Sequence, residues 1–164
     1  MKKLTFLFLF ISLTAFSQES IKEVLKKYNN EKIPYISVDR LKSFNSKKVV
    51  ILDAREQKEF DVSHIKNSIP VGYNNFNVSK AIKNITDKNI SVVVYCTLGV
   101  RSEDIAEKLK EAGYKNVYNL FGGIVEWKNK GYTVVDINGN ETEKVHVSSK
   151  VWGKWLLKGE KVYE

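Results

Sequence analysis

The sequence predicts an α/β fold, in which a mainly parallel central sheet has helices on both faces. Short runs rich in β-branched and aromatic residues alternate along the chain with segments of helical periodicity. These runs are apolar almost throughout, which is typical of parallel strands that are buried on both faces. The predicted strands have the sequences YISV, KVVILD, SIPV, ISVVVYC, NVYNL and YTVV.

A helix is predicted after each of these strands except the last, as the crossovers of a parallel sheet require. Before the first strand, an amphipathic helix with Ile21, Val24 and Leu25 on one face is expected to pack on the domain as an arm. The pair Gly122 and Gly123 is expected to allow a tight turn into the last helix. The helical segments are DRLKSF, EQKEFDV, SKAIKNI, RSEDIAEKLKEAG and GGIVEWKNKG.

The length of 164 residues and a hydrophobic content of 43% fit one globular domain with short appendages. We predict an N-terminal helical arm at 18–34, the domain itself at 35–136 and a C-terminal extension at 137–164. Asn138-Gly139, between VVDI and a run that ends in KVHV, is a hairpin signal. Four apolar residues of the extension are expected to pack on the domain, the alternative being an exposed patch that binds a partner. They are Trp152, Trp155, Leu156 and Leu157.

The first residues have the layout of a secretory signal peptide. Two lysines precede an apolar run from Leu4 to Phe16, and the small residue Ser17 ends the segment. An uncleaved membrane anchor is the alternative, but the run is shorter than the ~20 apolar residues that a spanning helix needs. We therefore predict a cleaved signal peptide at 1–17, no membrane span afterwards, and a periplasmic or secreted protein.

The formal net charge of +8 suits anionic small molecules, or it belongs to a solvated, lysine-rich surface. The lysines are dispersed among glutamates, and no arginine-rich stretch with interleaved aromatic residues occurs. Nucleic-acid binding is therefore not expected.

Cys96 is the only cysteine of the chain, so it forms no internal disulfide. It follows a predicted strand directly, and the loop CTLGVR leads from it into a helix. In parallel sheets, ligands bind beyond the carboxyl ends of the strands, which is where Cys96 is expected to lie. A loop that curls into a helix N-terminus directs N–H groups inward, and Gly99 gives it conformational freedom. Such a nest favours a nucleophilic thiolate, to which Arg101 adds positive charge. The alternative to a reactive thiolate is that Cys96 is only a small apolar residue at the end of a core strand.

Four segments between Tyr35 and Asp136 resemble the rhodanese family and occur in the family's order. They are ISVDRL, VVILDAREQKEFDVSHIKNSIPV, VVVYCTLGVRSEDIAEKLKEAGYKNVYNL and FGGIVEWKNKG. The resemblance implies a three-layer rhodanese-like fold and a sulfurtransferase. In such an enzyme, Cys96 takes sulfane sulfur as a persulfide from thiosulfate, a polysulfide or a persulfide, and passes it to a thiol or to cyanide. The resemblance implies neither a metal nor an organic cofactor.

The resemblance also implies roles for residues around Cys96. Asp53 and Arg55, with Glu59, match a segment that supports the active loop. The alternative for Arg55 and Glu59 is a helix-capping acid and a surface ion pair. His64 matches the family's histidine and is expected to be a hydrogen-bonded scaffold residue rather than a proton-transfer group. The cradle that stabilises the charged sulfur consists of Thr97, Leu98, Gly99, Val100 and Arg101.

Two departures from the family pattern bear on geometry and on substrate. Ser63 and Asn67 stand where many members have glycine, so a different local turn is expected. Thr97 and Leu98 are uncharged, whereas members that favour thiosulfate tend to have basic residues in this loop. A bulkier or less anionic donor, such as a persulfidated thiol or a polysulfide, therefore stays open.

Two other functions compete with sulfur transfer. Cell-cycle phosphatases and some arsenate reductases share this fold, but their cradle needs one residue more than the four between Cys96 and Arg101. A non-catalytic sulfur carrier, redox sensor or binding module is the other alternative. The expected partners are a small-molecule sulfur donor, a thiophilic acceptor and, outside the cytoplasm, a reducing or sulfur-accepting protein. We expect a monomer.

Overall fold

The computed structural model of the protein describes residues 19–163. Its central strands are β1 (Tyr35–Ile36), β2 (Val49–Asp53), β3 (Ile69–Pro70), β4 (Ser91–Tyr95) and β5 (Asn116–Leu120). They form one parallel sheet in the order β1-β5-β4-β2-β3. No helix within 19–163 is both long and apolar enough to cross a membrane. The predicted signal peptide at 1–17 lies outside the described residues, so export stays a prediction.

Four helices of the described range begin after a residue whose side chain caps them. Ser37 Oγ accepts the backbone N–H of Arg40 at 3.2 Å and so starts a helix at Val38. The prediction of a strand through Val38 is therefore wrong, and β1 ends at Ile36. The helices are α1 (Ile21–Tyr28), α2 (Val38–Lys42), α3 (Gln57–Val62), α4 (Val78–Ala81), α5 (Arg101–Glu111), α6 (Gly123–Asn129) and α7 (Lys150–Gly153). The four that a side chain caps are α1, α2, α4 and α7.

Helices cover both faces of the sheet. Along β4, Val93 and Tyr95 belong to a core that α1, α2, α6 and the C-terminal extension complete. Their neighbours Val92 and Val94 belong to a second core on the opposite face, which contains the apolar side of α5. The prediction of an α/β fold with three layers and a mainly parallel sheet is confirmed.

The last predicted strand, YTVV, is not part of the central sheet, which corrects the prediction. Its strand β6 (Val134–Val135) pairs antiparallel with β7 (Glu141–Thr142) in a small hairpin. The turn between them is closed by Asp136, whose Oδ1 accepts the backbone N–H groups of Asn138 and Asn140, each at 2.9 Å. The predicted hairpin is therefore present.

The second strand of this hairpin differs from the predicted KVHV. That segment forms β8 (Lys144–His146), which pairs in parallel with β9 (Glu160–Val162) in a separate two-stranded sheet. The turn at Asp136 sets the register so that Val134 faces Thr142, which leaves β8 free to pair elsewhere.

The C-terminal extension packs on the domain. Trp155 and Leu156 are buried in the core, and Trp155 Nε1 donates to the backbone oxygen of Glu19 at 3.0 Å. The prediction is wrong for Leu157, whose side chain is 79% exposed. Its backbone N–H donates to Asn129 Oδ1 at 2.7 Å, so the backbone faces the domain and the side chain faces solvent.

Candidate active site

Cys96 lies at the carboxyl end of β4, where the cradle loop leads into α5. It is almost fully buried, with 2% of its surface exposed. The backbone N–H of Gly99 donates to Cys96 Sγ at 3.1 Å, and Ser102 Oγ lies 3.6 Å from the same sulfur. Gly99 has a φ of +119°, a backbone conformation that side chains rarely tolerate. The donated N–H of Gly99 stabilises negative charge on the sulfur.

The carbonyl of Gly99 is held on the far side of the loop by two amide side chains. Asn29, which follows α1, donates from Nδ2 at 2.9 Å, and Asn119 of β5 donates from Nδ2 at 2.8 Å. These two bonds fix the backbone on one side of Gly99, whose own N–H donates to Cys96 Sγ. Sequence reasoning missed both asparagines.

A second anchor of the cradle is the start of α6. The N–H of Ile124 donates to the oxygen of Cys96 at 3.0 Å, and that of Val125 to the oxygen of Thr97 at 3.3 Å. A Cβ placed on Gly123 would lie 2.3 Å from the oxygen of Cys96. Only glycine therefore allows the helix to approach so closely, and Gly123 serves the cradle as well as the predicted turn.

Asn119 also connects the sulfur to a buried carboxyl group. Ser102 Oγ donates to Asn119 Oδ1 at 2.8 Å, while Asn119 Nδ2 donates to Glu103 Oε2 at 2.9 Å. Burial raises the pKa of Glu103 above its ordinary value. The signal in the sequence was a polar residue within the apolar run NVYNL, because a buried amide has to find hydrogen-bond partners.

The cation of the cradle is neutralised by a partner from α3. Arg101 donates from its two terminal nitrogens to Glu59 Oε2 at 2.7 Å and to Glu59 Oε1 at 2.8 Å, and it also reaches Thr97 Oγ1 at 3.1 Å. The side chain of Glu59 is 3% exposed, so the alternative of a surface ion pair is wrong for it. The expectation that Arg101 adds net positive charge to the loop is corrected by this pairing.

Glu59 makes the stability of the protein depend on pH. Burial opposes its ionisation, but the hydrogen bonds and charge of Arg101 prevail and hold the pKa of the Glu59 carboxyl below its ordinary value of 4.5. A depressed folded-state pKa means that the unfolded chain binds more protons at acid pH. The stabilisation is thus present above pH 4.5 and is lost as the pH falls through the folded-state value.

Glu59→Gln is expected to reduce this acid dependence, because the amide does not titrate. Urea unfolding over a series of pH values measures it, and the free energy of unfolding of the wild-type protein should fall more steeply below pH 4.5 than that of the variant. Parallel curves for the two proteins would contradict the assignment.

Asp53 and Arg55 form a fully buried ion pair beside the strand that carries the cysteine. Arg55 donates from Nη2 to Asp53 Oδ2 at 2.7 Å and to the backbone oxygen of Ser63 at 2.7 Å, and neither charged side chain is exposed. Asp53 pairs in the sheet with Tyr95, the residue before Cys96. The alternative of a surface ion pair is thus wrong for Arg55 too, and the pair ties the segment after α3 to the end of β2.

His64 makes its contacts with the scaffold. Its Nδ1 lies 3.1 Å from the oxygen of Phe60, its ring stacks on that of Phe60 at 3.8 Å, and its backbone bridges to Val135. Asn67, which replaces a family glycine, adopts a φ of +66°. The turn thus keeps a conformation that glycine favours, because asparagine tolerates the left-handed region. The expectation of a different local turn is corrected at this residue.

A cavity of about 170 Å³ opens above Cys96. Two of its lining residues, Ser148 and Trp152, come from the C-terminal extension, which sequence reasoning did not place at the site. His146 of β8 lies near the ion pair of the cradle, since its Nδ1 is 3.8 Å from Glu59 Oε1. The lining of this Cys96 pocket consists of Cys96, Thr97, Leu98, Val100, Arg101, Ser148 and Trp152.

Comparison with known proteins agrees with this geometry. A family profile described as a rhodanese-like domain matches residues 37–130. The thiosulfate sulfurtransferase GlpE of Coxiella burnetii is 35% identical over 80 residues, which cover 49% of this chain and 72% of that protein. The crystal structure of a rhodanese-related protein from Thermoplasma volcanium superposes with a TM-score of 0.53 at 30% identity, covering 62% of this chain and 97% of that one.

Similarity also extends to larger proteins. The tRNA uridine(34) hydroxylase of Aster yellows witches'-broom phytoplasma is 38% identical over 90 residues, which are 53% of this chain and 29% of that protein. This chain spans about a third of the length of such relatives, so the likeness is confined to one part of them. The match over 37–130, more than half of the chain, and the coverage of GlpE confirm the resemblance noted above. The chain belongs to the rhodanese family.

Proposed function

We propose that the protein is a sulfurtransferase that carries sulfane sulfur as a persulfide on Cys96. The observation that supports this most directly is the sulfur of Cys96 at the floor of a pocket, with the Gly99 N–H donating to it at 3.1 Å. Membership of the rhodanese family and similarity to a thiosulfate sulfurtransferase point to the same chemistry.

The first half of the reaction loads the cysteine. The Cys96 thiolate attacks the sulfane sulfur of the donor, a new S–S bond forms, and the old bond to that sulfur breaks. The leaving group takes the electron pair, so that thiosulfate departs as sulfite and a persulfide departs as a thiolate. The N–H of Gly99 stabilises the negative charge on the Cys96 sulfur before the attack and again when the persulfide is unloaded.

The second half unloads it. A thiolate or cyanide attacks the outer sulfur of the persulfide, and the electron pair of the broken S–S bond returns to Cys96 Sγ. A thiolate acceptor becomes a persulfide, and cyanide becomes thiocyanate. The enzyme regains its starting thiolate without a redox change at any other group.

Phosphate chemistry fits this site less well. Each terminal nitrogen of Arg101 already donates to the Glu59 carboxylate, which neutralises the guanidinium. The negative charge of Glu59 would also repel a phosphate dianion held at the same guanidinium.

Intact-mass spectrometry tests the proposal. After mixing with thiosulfate or a polysulfide, the protein should gain one sulfur, ~32 Da, and cyanide should remove it. Iodoacetamide added before the donor should prevent the gain, because it blocks Cys96. If neither donor loads a protein that iodoacetamide still modifies readily, sulfur transfer from these donors is wrong, and a redox-sensing or binding module takes its place.

A further inference from the structure

The Cys96 pocket is completed by residues that the shared rhodanese domain does not contain. The family match covers 37–130, yet Ser148 and Trp152 line the pocket. Both belong to the C-terminal extension, so this part of the protein forms one wall of the site where sulfur would be exchanged. Leu98 and Val100 of the cradle add apolar side chains to the lining of the pocket.

The indole of Trp152 is held in place by aromatic neighbours. Its ring lies 5.9 Å from that of Tyr28 in an edge arrangement and 5.8 Å from that of Trp155. Its helix, α7, is equally constrained, because a Cβ on Gly153 would lie 3.0 Å from the hydroxyl of Tyr163 and 3.1 Å from Val147. These contacts restrict the position of the indole in the wall of the pocket.

Ser148 connects the same wall to the cradle. It has a φ of +67°, a conformation that costs free energy in a residue other than glycine, and its N–H donates to His146 Nδ1 at 3.2 Å. The same nitrogen of His146 lies 3.8 Å from Glu59 Oε1, and Glu59 holds Arg101. The extension is thus positioned against the cradle itself.

The pocket has little capacity for a multiply charged donor. Arg101 is its only cationic lining residue among those of 19–163, and Glu59 neutralises it. A compact dianion would lose hydration on entering without gaining a cation of its own, which is unfavourable in an apolar site. The volume, by contrast, suits an apolar group. The cavity measures about 170 Å³, and a cavity of ~150 Å³ is enough for a benzene ring.

From these contacts we infer that the C-terminal extension, through Trp152, selects sulfane-sulfur donors that carry an apolar group and no more than one negative charge, in preference to thiosulfate. This inference rests on the proposed sulfur transfer and names its substrate class. The reaction itself is unchanged. With an organic thiosulfonate, the Cys96 thiolate attacks the sulfane sulfur, the bond to the sulfonyl sulfur breaks, and a sulfinate leaves with the electron pair.

Three donors separate the effect of an aromatic ring on the rate from the effect of charge. Benzenethiosulfonate and methanethiosulfonate are both monoanions and differ in the ring, whereas thiosulfate is a dianion without an apolar group. We expect kcat/KM, measured as thiocyanate formed in excess cyanide, to decrease from benzenethiosulfonate through methanethiosulfonate to thiosulfate. Equal values, or a preference for thiosulfate, would overturn the inference.

Trp152→Ala is expected to lower the ratio of kcat/KM for benzenethiosulfonate to that for methanethiosulfonate about tenfold, the lower end of what a hydrophobic contact contributes to selectivity. Trp152→Phe should retain most of the ratio. Val151→Ala is the matched control, because Val151 lies next to Trp152 in α7 with its side chain 64% exposed and outside the pocket. An unchanged ratio in a folded Trp152→Ala protein would refute the role of the indole.

Trp152→Arg provides a second test, because it replaces the indole with another large side chain and so does not rely on removing bulk from the wall. An unpaired cation in the wall should raise kcat/KM for thiosulfate relative to benzenethiosulfonate at least about tenfold, since it compensates the dianion. No change in a folded variant would count against the inference. If the wild-type protein forms no cyanide-labile persulfide with these three donors or with a polysulfide, the proposed function itself fails. If the protein forms the persulfide but the ratios of kcat/KM between donors do not change when residue 152 is replaced, only the proposed selectivity fails.

Discussion

Replacing Cys96 with serine is expected to abolish the cyanide-labile gain of sulfur while the protein stays folded. A serine oxygen forms no bond to sulfane sulfur under these conditions, and the chain has no other cysteine to substitute for it. Intact-mass spectra of the two proteins after identical treatment with polysulfide measure the difference. We expect the wild-type protein to gain ~32 Da and the variant to gain nothing.

The fold should tolerate this substitution because the local geometry suits an oxygen. The Gly99 N–H that donates to Cys96 Sγ at 3.1 Å keeps an acceptor in Cys96→Ser. The cost is the lost contact of one sulfur with the core beside α5, about 1–2 kcal/mol. Circular dichroism and the urea midpoint serve as controls. A folded Cys96→Ser protein that still gains cyanide-labile sulfur would show that the sulfur is not held on this residue.

Asp53→Ala is expected to lower the free energy of unfolding by about 3–5 kcal/mol, because it leaves a buried cation without its partner. The guanidinium of Arg55 is fully buried and directs three hydrogen bonds at the Asp53 carboxylate, at 3.0, 3.2 and 2.7 Å. Urea unfolding at neutral pH measures the loss. A cost below about 1 kcal/mol, the range of exposed pairs, would contradict this role.

The double variant Asp53→Ala/Arg55→Met distinguishes loss of the pair from the burden of an unpaired charge. Removing both charges should recover much of the stability, since apolar groups of similar size often replace a buried pair at little cost. Glu19→Ala is the control for an exposed pair. Glu19 lies 3.8 Å from Lys154 with both side chains about 40% exposed, and its loss should cost no more than about 1 kcal/mol.

The fold class and the place of Cys96 could both be predicted from local patterns in the sequence. Apolar runs that alternate with helical periodicity follow from burial on both faces of a sheet, which is a local property of each segment. Cys96 at the end of the run SVVVY therefore had to lie at the carboxyl edge of the sheet, where a loop meets a helix N-terminus. The glycines at 99 and 123 are conformational signals of the same local kind.

Short runs near the end of the chain were ambiguous because local pattern does not choose a partner strand. YTVV has the composition of a central strand, yet Val134 pairs with Thr142 of a hairpin instead of with the sheet. The register depends on the turn at Asp136, and the pairing depends on which sheet edge is already occupied.

The surroundings of the sulfur depend on contacts between residues that are far apart in the sequence. Asn29 reaches Gly99 across 70 residues of sequence, and Glu59 reaches Arg101 across 42. Trp152, in an extension that resembled a packing tail, forms a wall of the pocket. Side-chain periodicity encodes which face of an element is buried, but strand order and crossovers decide which distant elements meet there. The charge balance and shape of the pocket, and with them the donor selectivity that we propose, therefore follow from the assembled fold.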